Sequence, residues 1–80
     1  MIVSAQCSVY PLRQEHLAEG IRIVTGALEA AGLSPQAGPM STLVVGEAAA
    51  VFDALRDGFS AAARQGHLVM TVTVSNACPV

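Results

Sequence analysis

The chain has 80 residues and a mass of 8.2 kDa, which leaves room for one domain spanning 1–80 with a thin core. It is 52% hydrophobic and 12% charged, with a mean hydropathy of +0.53, and this excludes a disordered chain. Four Arg, no Lys and a net charge of −2 argue against the basic face that nucleic-acid binding needs.

Residues 2–10 alternate Val3, Ala5, Cys7 and Val9 with Ser4, Gln6, Ser8 and Tyr10. One apolar and one polar set at period two predict a strand covered on one side. In the window 14–31, Leu17, Ile21, Val24, Leu28 and Ala31 recur in steps of four and three, the spacing of one helix face, and Gly32 follows as a stop. The piece 33–38 is a weak strand that Pro35 confines to a sheet edge, and Gly38-Pro39 is a turn. Residues 40–46 predict a third strand, with Thr42 and Val44 opposed to Leu43 and Val45. The window 47–65 predicts a second helix with Val51, Phe52, Leu55, Phe59, Ala62 and Ala63 on its apolar face. Gly66 closes it. Residues 68–76 alternate Leu68, Met70, Val72 and Val74 with Val69, Thr71, Thr73 and Ser75. Gly20, Gly26 and Gly58 each weaken a helix by up to about 1 kcal/mol relative to Ala, so packing must hold these helices.

The element order is β-α-β-β-α-β. It predicts an α+β ferredoxin-like fold: a four-stranded antiparallel sheet of order 4-1-3-2 with both helices on one face. All charged residues fall within 13–29 and 47–64, the two helical windows and their flanks. The longest uncharged stretch, 30–46, is broken by Gly, Pro, Ser and Thr and is no membrane span. The first residues show no basic region and no cleavage site, so the chain reads as a soluble cytoplasmic protein without a signal peptide.

Helices on one side leave the other side open. The covered set is Val3, Ala5, Cys7, Val9, Leu68, Met70, Val72 and Val74. The open set is Ser4, Gln6, Ser8, Tyr10, Thr71, Thr73 and Ser75, with Thr42. Solvent-facing sheets ordinarily mix Lys, Glu and Arg among the Thr. A neutral, hydroxyl-rich face points to cover by a second subunit, with a small ligand in that interface as a compatible occupant. The plain alternative is a bare sheet face.

Cys7 and Cys78 lack metal-ligand spacing. Pairing of the first and last strands would set Cys7 opposite about position 71, roughly 20 Å from Cys78 at about 3.4 Å per residue, too far for a disulfide. Both are expected as free thiols. His16 and His67 fall on a first helical turn and a loop and read as surface residues. The strand segments carry no carboxylate for acid–base work, and phosphate-binding glycine loops are absent. RNA binding on such a sheet needs strand aromatics and cations, and the strands here offer one Tyr.

Three segments together carry a family resemblance: SAQCSVYPL (4–12), GPMSTLVVG (38–46) followed by VFDAL (51–55), and HLVMTVTVSNACP (67–79). They resemble the YkoF-like proteins that bind thiamine or its hydroxymethylpyrimidine half. The resemblance implies a non-enzymatic, single-unit binding protein of thiamine salvage or transport, assembled as a homodimer or tetramer. Charge and hydropathy leave no nucleic-acid or membrane partner expected, and the resemblance implies no cofactor beyond the ligand itself. It places ligand contacts on Ser8, Ser41 and Thr42. Gln6 can donate and accept beside them, and Tyr10 or Met40 could wall a ring. Glu47 is the nearest carboxylate for a cationic thiazolium, and Ser75 and Asn76 match the family more loosely. The alternatives are that Ser8 and Thr42 form cross-strand pairs, and that the open face serves assembly alone.

Overall fold

The computed structural model describes residues 1–12, 17–38 and 40–77. The elements are β1 (Ile2–Pro11), α1 (Leu17–Ala30), β2 (Gln36–Ala37), β3 (Thr42–Glu47), α2 (Ala48–Ala63) and β4 (Leu68–Ser75). The sheet order is β2-β3-β1-β4, with every pair antiparallel. This is the expected 4-1-3-2 order counted from the other edge, in a βαββαβ ferredoxin-like fold. Among the described residues no helix is long and apolar enough to cross a membrane.

Alternation in β1 does what it predicts. Val3, Ala5 and Cys7 are buried, together with Val44 of β3 and Val24, Leu28, Val51, Ala54, Leu55 and Ala62 of the helices. The helix layer is thin because its seam is made of small residues. A Cβ on Gly58 would lie 3.2 Å from the Val24 Cα and from the Ala27 Cβ, so α2 lies close on α1. Gly20 sits against Val9 and Pro11 of β1.

Chain reversals follow from local hydrogen bonds. Gly32 takes φ +82°, its N–H donates to Glu29 O, and Leu33 N–H donates to Leu28 O. That pair of bonds is the glycine-terminated Schellman ending. It delivers Leu33 over Gly46, where a Cβ would meet the Leu33 Cδ2 at 2.5 Å. The chain passes from β3 into α2 without a loop. Glu47 makes no side-chain cap, and the first helical N–H, on Ala48, donates to Met1 O at 2.9 Å.

Several expectations need correction. The weak second strand is only Gln36–Ala37. Ile21, Phe52 and Phe59 are exposed, although the helical spacing set them on the buried faces. Val51, Leu55 and Ala62 of the expected α2 face are buried, and Ala54 and Gly58 join them in place of the two Phe. Close helix approach needs small side chains at the seam, so the two Phe rings fall on the flank. Cys7 is a free, buried thiol opposite Val72, one residue from the anticipated partner. His16 and Cys78 lie outside the described residues.

The largest correction concerns β3. Its register pairs Cys7 with Thr42, Ala5 with Val44, Gln6 with Leu43 and Ser4 with Val45. Directly opposed residues share a sheet face. Thr42 therefore lies on the helix side, 7% exposed, while Leu43 and Val45 stand on the open side at 42% and 50%. Both alternating sets of β3 contain apolar residues, so its pattern alone could not assign a face. A one-residue change of register moves every side chain across the sheet.

Candidate functional site

The two neighbours of β1 differ in reach. β3 pairs with it only as far as Cys7, whereas β4 pairs through Pro11. The stretch Ser8–Tyr10 thus has a strand on one side and none on the other. The turn that returns β2 to β3 fills part of that gap. Gly38 N–H donates to Ser41 O at 2.8 Å, and the Ser8 hydroxyl crosses to donate to Met40 O at 3.0 Å.

The rest of the gap is a cavity of about 200 Å³. Its strand walls are Cys7, Ser8, Val9, Tyr10 and Thr42. Ile21, Val24 and Thr25 of α1 form its roof, and Ala37, Gly38, Met40 and Ser41 its outer rim. Five of the six sequence candidates, Ser8, Tyr10, Met40, Ser41 and Thr42, line this one space. The sixth, Gln6, stands on the open face and donates from Nε2 to the Ser41 Oγ at 2.9 Å. The cavity lies at the end of the sheet under α1, not on the open face where a ligand was expected. It draws residues from both faces because the unpaired edge of β1 is reached from either side.

The hydroxyls are not equivalent. Ser8 already donates its proton, so its oxygen is left as an acceptor. Ser41 already accepts, so its proton is left to be donated. Thr42 takes no part in either bond. Thr25 donates to Ile21 O at 2.9 Å within its own helix and is committed there. Burial pushes the Cys7 thiol up from its ordinary value, so at neutral pH it is a protonated, apolar part of the wall. Among the described residues the wall contains no Asp, Glu, His, Lys or Arg. Among the described residues no three His, Cys, Asp or Glu side chains gather as a metal site.

Other candidates are not brought here. Glu47 ends β3 five residues beyond Thr42, about 17 Å away along the strand. Its carboxylate pairs with the Met1 amino group at 2.6 Å. Ser75 accepts from Ala77 N–H at 3.0 Å and closes β4, and the Asn76 amide lies 3.8 Å from the Met1 sulfur. Of the α1 residues of the roof, Ile21 and Val24 read in the sequence only as helix packing, and Thr25 carries no signal there. Ile21 lines the cavity and is 42% exposed.

The fold has solved counterparts. A Thermotoga maritima protein with a provisional thiamine biosynthesis/salvage assignment is 20% identical, with a TM-score of 0.80, over 92% of this chain and 82% of that one. A hypothetical protein of Methanocaldococcus jannascii is 15% identical, with a TM-score of 0.86, over 96% and 81%. A Streptococcus pneumoniae protein is 21% identical, with a TM-score of 0.84, over 94% and 86%. At such identities the likeness shows the fold. No curated protein matches the chain. The model of the YkoF-related family matches residues 2–80, and the chain belongs to that family.

Proposed function

We propose that the protein binds thiamine, or its hydroxymethylpyrimidine half, without catalysing a reaction on it, in thiamine salvage or transport. The observation that carries this reading is the convergence of Ser8, Tyr10, Met40, Ser41 and Thr42 on one small cavity whose described lining holds no charged side chain. Family membership and the thiamine-related Thermotoga neighbour support the same ligand class.

The chemistry is complementary. An aminopyrimidine offers ring nitrogens that accept and an amine that donates. Ser41 has a proton to give, Ser8 has lone pairs to receive, and Thr42 can do either. Drug-sized ligands occupy sites of roughly 300–1,000 Å³, so a cavity of about 200 Å³ suits one ring. The pyrimidine enters and the thiazolium of thiamine stays at the mouth. Tyr10 lines the cavity and is half exposed, and its aromatic ring is the group in the lining suited to a cation.

Titration calorimetry with thiamine and with hydroxymethylpyrimidine tests the reading. Heat of binding with at least one is expected. Absence of heat with both, at protein concentrations that detect micromolar affinity, overturns it.

A second reading comes from the open face. Ile2, Leu43, Val45, Val69 and Tyr10 expose apolar surface there beside Ser and Thr. Such a face fits burial against a second copy, so the protein would act as a homo-oligomer, or as an assembly module with no ligand. The double variant Ser8→Ala, Thr42→Val separates the two. Loss of ligand heat with unchanged mass in solution supports binding as the function. Absence of ligand heat in the wild-type oligomer leaves assembly.

A further inference from the structure

Gln6 is the sequence candidate that does not line the cavity. Alternation along β1 puts it on the open face, exposed, between Leu43 of β3 and Thr73 of β4. From there its side chain reaches past the start of β3 and donates from Nε2 to the Ser41 Oγ at 2.9 Å.

That bond is not needed to close the turn before β3. Two others hold the turn's backbone, from Gly38 N–H to Ser41 O at 2.8 Å and from the Ser8 hydroxyl to Met40 O at 3.0 Å. Gln6 acts on the Ser41 side chain alone, and what it sets there is the direction of a proton. A hydroxyl has one proton and two lone pairs. The Gln6 amide occupies a lone pair of Ser41, and among the described residues no acceptor holds the Ser41 proton. Ser41 is half-buried in the cavity rim, so that proton is left for whatever occupies the cavity. Ser8 is set the other way, because it gives its proton to Met40 O and presents lone pairs. The site is thus polar in a fixed sense, a donor at Ser41 and an acceptor at Ser8.

We infer that Gln6 is a positioning residue rather than a ligand contact: from the open face it turns the Ser41 proton into the cavity, and so selects rings that present an unprotonated ring nitrogen. The inference rests on the reading of the cavity as an aminopyrimidine site. It adds a discrimination that Ser41 alone lacks, since an unheld hydroxyl rotates and accepts as readily as it donates. A ring carbon or a protonated nitrogen at that point leaves the Ser41 proton with nothing to receive it.

Gln6→Glu tests it. The carboxylate has nearly the same size but only accepts at neutral pH, so it takes the Ser41 proton in a charge-assisted bond and reverses the hydroxyl. The position is exposed and both backbone bonds of the turn are independent of it. The probes are hydroxymethylpyrimidine and its benzene analogue, in which CH replaces both ring nitrogens. Both are neutral, so the added charge acts alike on the two. Calorimetry of the wild type should give a Kd about 2- to 12-fold lower for the pyrimidine, the worth of one neutral hydrogen bond. In Gln6→Glu the two ligands should become equal while the benzene analogue binds as before. A preserved preference, or equal weakening of both ligands, overturns the inference. Ser41→Ala gives an independent check: it should abolish the preference, and adding Gln6→Glu to it should change nothing further. A further loss there overturns the positioning role, because Gln6 then touches the ligand itself. A wild type that binds both rings equally overturns this inference and leaves the binding reading, whereas one that binds neither overturns both.

Discussion

Thr42→Val separates a ligand-binding hydroxyl from a structural one. The side chain is 7% exposed, opposite Cys7, and lines the cavity, while the hydrogen bonds that tie the site together run between Gln6 and Ser41 and between Ser8 and Met40. Valine keeps the shape and the strand preference and replaces the hydroxyl by a methyl. Burying a hydroxyl without a partner costs about 1–3 kcal/mol by protein mutational data. The cavity gives Thr42 access to water, which takes the lower end of that range as the ceiling. Stability should therefore stay level or rise by up to about 1 kcal/mol, a Tm increase of up to about 4–8 °C for a domain of this size. Ligand affinity should fall. One neutral hydrogen bond is worth about 0.5–1.5 kcal/mol net, which is about a 2- to 12-fold increase in Kd. Thermal melting without ligand and calorimetry with thiamine or hydroxymethylpyrimidine read the two effects. A variant that melts several degrees lower refutes the reasoning, because the hydroxyl then holds the fold. A Kd equal to wild type removes Thr42 from the site.

Other substitutions probe the frame. Gly58→Ala adds a methyl 3.2 Å from the Val24 Cα, a backbone atom that cannot turn aside. Overpacking costs about 1–3 kcal/mol against about 1 kcal/mol of helix preference gained, so a lower urea midpoint is expected, and a higher one would mean the helices separate freely. Leu28→Ala truncates a side chain with 0% exposure and should cost about 2–5 kcal/mol, with an unchanged melting curve as the contrary result. Glu47→Gln breaks the pair with the Met1 amino group, whose partners are 60% and 57% exposed; solvent screening limits the loss to about 0–1 kcal/mol, and a larger loss in urea titration would contradict a surface pair. Cys7 has its thiol raised by desolvation, so its contribution to stability is complete below the ordinary thiol range and is lost as pH rises through the folded value. In a Cys78→Ala chain, Tm should fall at alkaline pH and Cys7 should react with thiol reagents far more slowly than after unfolding. Equal rates folded and unfolded would place the thiol in solvent.

Much of this molecule is determined by local pattern. In β1, and in most of β4, one alternating set is apolar and the other polar, so burial has one choice of face. Gly32 ends α1 where a positive φ is required, and the element order leaves a single simple antiparallel topology. The candidate side chains come from the family resemblance rather than from local pattern; Ser8, Tyr10, Met40, Ser41 and Thr42 line one cavity, Thr42 from the face opposite to the one its pattern suggests. What pattern could not decide is where two choices are locally equal. In β3, Thr42 and Val44 can be buried as readily as Leu43 and Val45, and only pairing with β1 breaks the tie. On α2 the apolar stripe is wider than the seam, and the seam takes Gly58 and Ala54 over Phe52 and Phe59 because backbones approach closely only past small residues. The cavity exists because β3 stops pairing at Cys7 while β4 continues to Pro11. A difference between two strand pairings belongs to neither segment, so it arises only when the sheet is assembled.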